Sequence, residues 1–180
     1  DLAALIAVQR QMLGLDFLYV TDGTDAPSGF APADWPVIGA ALQGQGKAAV
    51  DILSPAAMEA LAPGMATRAA VPLVATPNAA PTGRLTEDRG MIIHSAAPLH
   101  LPDGRAAALV GGMLLNRNLD FIDTINALVY QSRSLPEGSQ GTATLFLDDV
   151  RISTNVRLFE NVRALGTRVS QAVRSRVLDE

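Results

Sequence analysis

The sequence of 180 residues contains no cysteine, and this absence excludes disulfides, thiolate metal sites and cysteine nucleophiles. Aromatic residues make up only 4% of the chain, so any core has to be built mainly from aliphatic side chains. Lysine occurs once, at Lys47, and the formal net charge is −4. Because nucleic-acid backbones are bound by clustered Lys and Arg, we expect no nucleic acid as a partner.

Long hydrophobic runs are also missing. No apolar stretch reaches the ~20 residues that cross a bilayer, and no basic segment followed by an apolar one marks a signal peptide. The hydrophobic share of 48% and the chain length are nevertheless sufficient to bury a core. The composition therefore indicates a globular domain with a light core, and it leaves the cellular compartment open.

The first two thirds of the chain alternate between short helices and short strands. Helices are predicted over 1–13, over 35–42 and from Ser54-Pro55 onward, and strands over Phe17–Thr21, 48–53, 71–76, 90–101 and 106–115. The last two strands flank Pro102-Asp103-Gly104, a sequence typical of a tight turn between hairpin strands. This order predicts an α+β fold with one five-stranded antiparallel sheet of PAS-like type, flanked by helices.

The last third predicts the start of a second module. Asn118 can cap a helix over 119–131, and a Pro/Gly/Ser linker follows at 135–139. A hairpin is then predicted from two strands, 142–147 and 150–155, with a helix from Thr167. Two strands and one helix cannot bury both faces of a sheet, so this module reads as incomplete. The predicted boundaries are a first module at 1–117, a connecting helix and linker at 118–139, and a partial module at 140–180.

Catalytic motifs are not visible. Residues 44–47 resemble a phosphate-binding loop, but alanine stands at 41 and at 48, where the motif needs glycine and a hydroxyl residue. Asp120 and Asp123 form an i, i+3 carboxylate pair that is explained by the start of a helix. No Ser or Cys motif accompanies a histidine, so a nucleophilic triad cannot be assembled. We therefore predict no catalytic residue, no cofactor and no enzymatic activity in this segment.

The two histidines, His94 and His100, lie on one predicted strand, with Pro98 between them. They can be ordinary sheet residues, His94 can contact a ligand, or the pair can belong to a metal site. A metal site would need a third ligand, and no acidic or His residue stands at ligand spacing. We therefore predict no metal site and retain His94 as a candidate for ligand contact.

Two arginines border predicted strands, at Arg68 and Arg89, where a guanidinium could hold a carboxylate bidentately. The alternative is that both are solvated or form structural ion pairs. Tyr19 lies on the first strand and is a further candidate. The predicted ligand-binding residues are thus Tyr19, Arg68, Arg89 and His94, and the arginines favour a carboxylate as the small-molecule ligand.

Four strings in the second half of the chain carry a family resemblance: RGMIIHSAAP, GGMLLNRNLDFIDTI, GTATLFLDDVRISTNV and RALGTRVS. They resemble the extracytoplasmic double Cache sensor domains of bacterial histidine kinases and chemotaxis receptors, with a Cache 3-type distal module followed by a Cache 2-type proximal one. The chain departs from the family pattern at Asp148, where glycine is expected in the acidic turn, and at Val162, where Gly or Gln is expected.

The resemblance implies a periplasmic sensor domain of an inner-membrane receptor, with a ligand in the distal module, a long N-terminal helix along which a homodimer forms, and flanking transmembrane helices that are the only membrane contact. It implies signal transfer through helices to the cytoplasm, with a sensor histidine kinase as the first expectation. The alternatives are a ligand-free protein-interaction or scaffold domain and the sensor domain of a methyl-accepting chemotaxis protein.

Overall fold

The computed structural model describes residues 1–24, 34–130 and 141–179. The described helices are α1 (Leu2–Met12), α2 (Pro36–Leu42), α3 (Pro55–Leu61), α4 (Met65–Ala69), α5 (Leu119–Val129) and α6 (Gln171–Arg174), which continues into a π-helical turn at Ser175–Asp179. The described strands are β1 (Phe17–Thr21), β2 (Lys47–Leu53), β3 (Val71–Pro72), β4 (Thr86–Glu87), β5 (Gly90–His100), β6 (Ala106–Leu114), β7 (Thr144–Leu147), β8 (Val150–Thr154), β9 (Arg157–Phe159) and β10 (Val162–Arg163). None of these helices is long and apolar enough to cross a membrane.

The chain divides into two compact units. Unit 1 comprises Asp1–Thr67 and Arg89–Leu114, and unit 2 comprises Arg68–Asp88 and Leu115–Glu180. This division differs from the predicted boundaries at 117 and 139, because it assigns residues 68–88 to the same unit as the C-terminal third. The physical reason lies in backbone hydrogen bonds: the N–H of Val74 donates to the carbonyl of Gly166, and the N–H of Gln171 donates to that of Asn78.

Unit 1 is organised around an antiparallel sheet, which in the described residues has four strands in the order β1-β6-β5-β2. The predicted hairpin is confirmed: β5 and β6 pair over most of their length, and Gly104 takes a positive φ of 86° in the turn between them. Phe17 and His94 both lie opposite Gly112, one on each neighbouring strand. The α+β class and the antiparallel sheet flanked by helices are likewise confirmed.

One face of this sheet, here called the inner face, is covered by helices. Every second residue of each strand points to it, as shown by the buried Phe17 of β1 and Ile92 of β5. Helix α2 contributes the buried Val37 and Ile38, and α3 contributes Met58, which is fully buried. Both helices begin with proline at the first turn, which favours the entry into a helix.

The predicted fifth strand is wrong for this sheet in the described residues. It was expected over 71–76, but only Val71–Pro72 forms a strand, and it pairs with Thr86–Glu87 within unit 2. Proline has no backbone N–H, so Pro72 cannot continue a central ladder. The following residue, Leu73, donates its N–H to the carbonyl of Leu85 instead.

Unit 2 contains the second predicted hairpin, in which β7 pairs with β8. Asn118 caps α5 as predicted, because its Oδ1 accepts a hydrogen bond of 3.0 Å from the N–H of Phe121. The last predicted helix begins at Gln171 and not at Thr167. Residue Gly166 has a positive φ of 76°, and the hydroxyl of Thr167 donates to the carbonyl of Ala164, so the chain stays non-helical there.

Candidate functional site

The inner face of unit 1 carries a histidine–carboxylate pair. His94 lies in the middle of β5 and is 1% exposed, and its Nε2 is 2.6 Å from Oδ2 of Asp51 on β2. Asp51 lies opposite Ile92 in the register, so it is the diagonal neighbour of His94 on the same face. The side chain of Asp51 is 42% exposed, so the pair reaches from solvent into the interior of the unit.

One aromatic ring stacks on the imidazole, and two further rings follow it in a series. The ring of Trp35 stacks on that of His94, with centroids 4.0 Å apart and planes inclined by 16°. Phe17 lies next to Trp35 at a centroid distance of 5.9 Å, and Tyr19 lies 6.3 Å from Phe17. Trp35 is the residue before α2, whose packing on the sheet holds the indole over the inner face. The rings and the carboxylate are here called the Trp35–His94 cluster, with members Phe17, Tyr19, Trp35, Asp51 and His94.

A glycine makes the cluster possible. A Cβ at Gly112 would lie 2.6 Å from Cζ of Phe17, 2.9 Å from Cβ of His94 and 2.5 Å from the carbonyl oxygen of Ile93. Real Cβ atoms do not approach other atoms this closely, so only glycine lets the phenyl ring cross β6 toward the imidazole.

The imidazole has one unused hydrogen-bonding atom. Nδ1 of His94 is buried and has no hydrogen-bond partner in the described part of the chain. A buried polar atom left in this state costs about 1–3 kcal/mol, and such atoms in folded proteins usually meet a water or a ligand. When Nε2–H donates to Asp51, the neutral ring presents Nδ1 as an acceptor, an assignment that follows from the hydrogen-bond network. The site can therefore accept a hydrogen bond from a bound molecule.

Of the four residues predicted from sequence, two come together in this cluster, namely Tyr19 and His94. Arg68 is exposed in the last turn of α4 and belongs to unit 2. Arg89 is half-buried immediately before β5. It lies two residues before Met91 and therefore on the side of the sheet opposite to the inner face. Both arginines form interactions of their own.

Sequence reasoning missed Asp51, Trp35 and Phe17. One signal was present in the string AAVDIL, where strand alternation places Asp51 on the same face as the buried Leu53. The other was Trp35, which is the single tryptophan of the chain and directly precedes a helix-starting proline. Within the described ranges, no three His, Cys, Asp or Glu side chains are grouped so that they could hold a metal ion.

Unit 2 has its own polar and apolar features. An open cavity of about 370 Å³ lies between α5 and the segment that leads into β7. Its lining combines apolar side chains with threonines and carries no charge: Phe121, Ile122, Ile125, Val129, Tyr130, Thr142, Ala143, Thr144 and Leu145. Small-molecule pockets have volumes of about 300–1,000 Å³, so this cavity is at the small end of that range.

Among the ion pairs of unit 2, one is almost buried and another lies on the surface. Asp149 and Arg168 lie 2.6 Å apart and are almost buried, and Arg168 also donates to the carbonyl of Ala80. They connect the strings LFLDDV and RALGTRVS within the fold of unit 2. On the surface, Arg163 donates two hydrogen bonds to Asp123 at 2.8 and 2.7 Å. These hydrogen bonds hold the pKa of the Asp123 carboxyl below its usual value and raise the pKa of the guanidinium.

The acidic turn between β7 and β8 explains the first departure from the family pattern. Asp148 has a positive φ of 52°, the left-handed conformation in which glycine is favoured and in which aspartate is tolerated better than most residues.

The comparison with protein families gave one match. Residues 113–180 match the family model described as single Cache domain 3, a stretch that runs from the end of β6 through α5 and the β7–β8 hairpin. No curated protein and no solved structure matches the chain. The antiparallel sheet flanked by helices is consistent with a PAS-like Cache fold. Cache domains are extracytoplasmic sensor domains of receptors, and the match supports a Cache sensor domain in this chain.

Proposed function

We propose that this chain is the periplasmic, small-molecule-sensing part of a transmembrane receptor and that its ligand binds at the Trp35–His94 cluster of unit 1. The observation that carries the site is the buried Nδ1 of His94, which has no partner in the described residues. The Cache match over residues 113–180 supports the sensory role. A sensor histidine kinase is the receptor class that we favour, with a chemotaxis receptor as the alternative, in each case as a homodimer.

The chemistry of the cluster suits recognition more than catalysis. Asp51 orients the imidazole through Nε2, which leaves Nδ1 available as the atom that reads the ligand. Trp35 fixes the ring plane by stacking. A ligand that donates a hydrogen bond to Nδ1 stabilises the conformer in which Trp35 and His94 are stacked, relative to any conformer in which this stacking is lost. Such a difference in affinity between two conformers is what a sensor needs to shift a population.

The test is a thermal-shift screen of metabolites on the 180-residue chain, followed through the emission of its single tryptophan, Trp35. We expect a ligand that raises the melting temperature, since binding at about 100 times its Kd adds about 2.7 kcal/mol of stability. The stabilisation should be lost in His94→Gln and kept in His100→Gln, because His100 is exposed at the end of β5.

Asp51→Asn serves as a second variant if His94→Gln does not fold, and it should weaken the same stabilisation. The proposed site is refuted if the stabilisation by a ligand survives in His94→Gln. If no metabolite stabilises the chain, the remaining function is a ligand-free interaction or scaffold domain.

A further inference from the structure

We infer that strand β2 is an interface between two copies of this chain, which pair along their β2 edges about a two-fold axis at Ala49. The inference rests on the homodimer of the proposed function, but it names a surface other than the N-terminal helix that the family resemblance implies. In this dimer Lys47 of the second copy forms an ion pair with Asp51. The second copy thus contributes a charge to the Trp35–His94 cluster.

Strand β2 lies at an edge of the sheet of unit 1. In the described residues its one neighbouring strand is β5, which pairs with all of Lys47–Leu53. Because the backbone groups of alternate residues point to opposite sides of an antiparallel strand, the other side of β2 presents N–H and C=O groups that β5 does not use. A further antiparallel strand can therefore extend the sheet along this side.

Two opposite charges lie on this edge. Lys47 is exposed and is the single lysine of the chain, and Asp51 shares its alternation and therefore its face of the sheet. The two are four residues apart, about 13 Å along the strand, which is too far for an ion pair within one copy. Oδ2 of Asp51 contacts His94, and the side chain is 42% exposed, which leaves Oδ1 for a second partner.

These charges select one pairing register between two copies. When the antiparallel pair is centred on Ala49, Lys47 lies directly opposite Asp51 of the second copy, and the two-fold axis forms this ion pair twice. Opposite charges at directly opposite positions stabilise a strand pair, and like charges destabilise it. Centring on Asp51 would place two carboxylates opposite each other, and centring on Val50 would place Lys47 opposite the apolar Leu53. The ion pairs therefore specify both the partner and the register.

The outer face of the same edge adds apolar surface. The side chains of Val50 and Ile52 are 54% and 52% exposed. In the register centred on Ala49, Val50 lies opposite Ala48 of the second copy, and cross-strand contact of aliphatic side chains stabilises the pair. The other edge strand of the described sheet, β1, has the sequence FLYVT and carries no charge that could select a register.

The first test is sedimentation equilibrium of the 180-residue chain without ligand, so that the outcome does not depend on ligand binding. We expect a monomer–dimer equilibrium whose dissociation constant rises about tenfold or more in Lys47→Glu, because two ion pairs become two repulsions. Lys47→Arg should keep the dimer. The matched control is Arg176→Glu, in which an exposed arginine of unit 2 receives the same change of charge, and it should leave the dissociation constant unchanged.

The second test determines the register by disulfide formation with oxidised glutathione, because the chain has no cysteine of its own. Ala49→Cys places two thiols directly opposite each other, with Cα atoms about 4.5–5.5 Å apart, which suits a disulfide. Val50→Cys is the matched control, since its counterpart in the second copy is a diagonal neighbour about 7–8 Å away, beyond the span of a disulfide. We expect the yield of crosslinked dimer to be about fivefold or more higher for Ala49→Cys.

The folding of each variant is checked by its melting curve, and the two cysteine variants decide the question if Lys47→Glu does not fold. A chain that stays monomeric at about 1 mM, a dimer that a folded Lys47→Glu leaves unchanged, or equal crosslinking of the two cysteine variants overturns the β2 interface. A dimer formed through the exposed apolar residues of α1 would give the second of these results. The proposed ligand site is decided separately, by the metabolite screen with His94→Gln.

Discussion

Adding one methyl group at Gly112 tests the packing of the Trp35–His94 cluster. In Gly112→Ala the new Cβ would meet three groups at 2.5–2.9 Å, and two of them, the carbonyl of Ile93 and the Cβ of His94, are fixed by the backbone of β5. Only the ring of Phe17 can rotate away. Overpacking of a tight core costs about 1–3 kcal/mol, and we expect the upper end here because backbone has to move. A loss of about 3 kcal/mol lowers the folding equilibrium constant roughly 100-fold.

The assay is urea denaturation followed by tryptophan emission, which reports on unit 1 because Trp35 is the single tryptophan. The matched control is Gly46→Ala, where a Cβ would lie at an ordinary 3.7 Å from the carbonyl oxygen of Ala96. We expect a lower midpoint for Gly112→Ala and a red-shifted native emission, since displaced Phe17 and His94 uncover the indole. Equal midpoints for the two variants, with unchanged emission, would show that the close packing around Gly112 is wrong.

Two further predictions concern unit 2. The pKa of Asp123 is lowered by its hydrogen bonds from Arg163, so this pair stabilises the fold above the ordinary carboxyl value near 3.8 and stops doing so as the pH falls through the lowered pKa. Because Asp123 is 47% exposed, Asp123→Asn should cost about 0.2–1 kcal/mol at pH 7, and the difference from wild type should vanish in acid melting curves. Arg168→Met leaves the carboxylate of Asp149 buried without its partner and should cost about 3–5 kcal/mol in chemical denaturation, whereas Arg174→Met, at an exposed pair, should cost under about 1 kcal/mol. Equal losses for the two arginine variants would contradict the buried role of Arg168.

Local chemistry explains which elements could be predicted from sequence. The turn Pro102-Asp103-Gly104 and the cap at Asn118 act over three or four residues, so the β5–β6 hairpin and the start of α5 follow directly from the string. The prediction of a fifth strand in the sheet of unit 1 is wrong for a non-local reason. Residues 71–76 have strand-forming composition, but their hydrogen-bond partners at Leu85 and Gly166 come from elsewhere in unit 2.

The difference between local and non-local contacts also explains how much of the candidate site could be predicted. His94 could be singled out because histidines are rare in this chain, but its partner Asp51 is 43 residues away and Trp35 is 59 residues away in sequence. Their meeting depends on the β2–β5 register and on the docking of α2, which no short pattern encodes. The arginines are candidates by their chemistry alone. The position of Arg89 relative to the sheet follows only from the start of β5 at Gly90, which the sequence pattern does not mark.

The family match and the proposed site concern different parts of the chain. The match covers residues 113–180, whereas every member of the Trp35–His94 cluster lies before residue 95. The recognisable strings are held together by structural chemistry, namely the buried Asp149–Arg168 pair and the left-handed turn at Asp148. Such constraints mark a fold without defining what it binds. The proposed site therefore depends on contacts of unit 1 that lie outside the matched stretch, namely the hydrogen bond between His94 and Asp51 and the stacking of Trp35 on the imidazole.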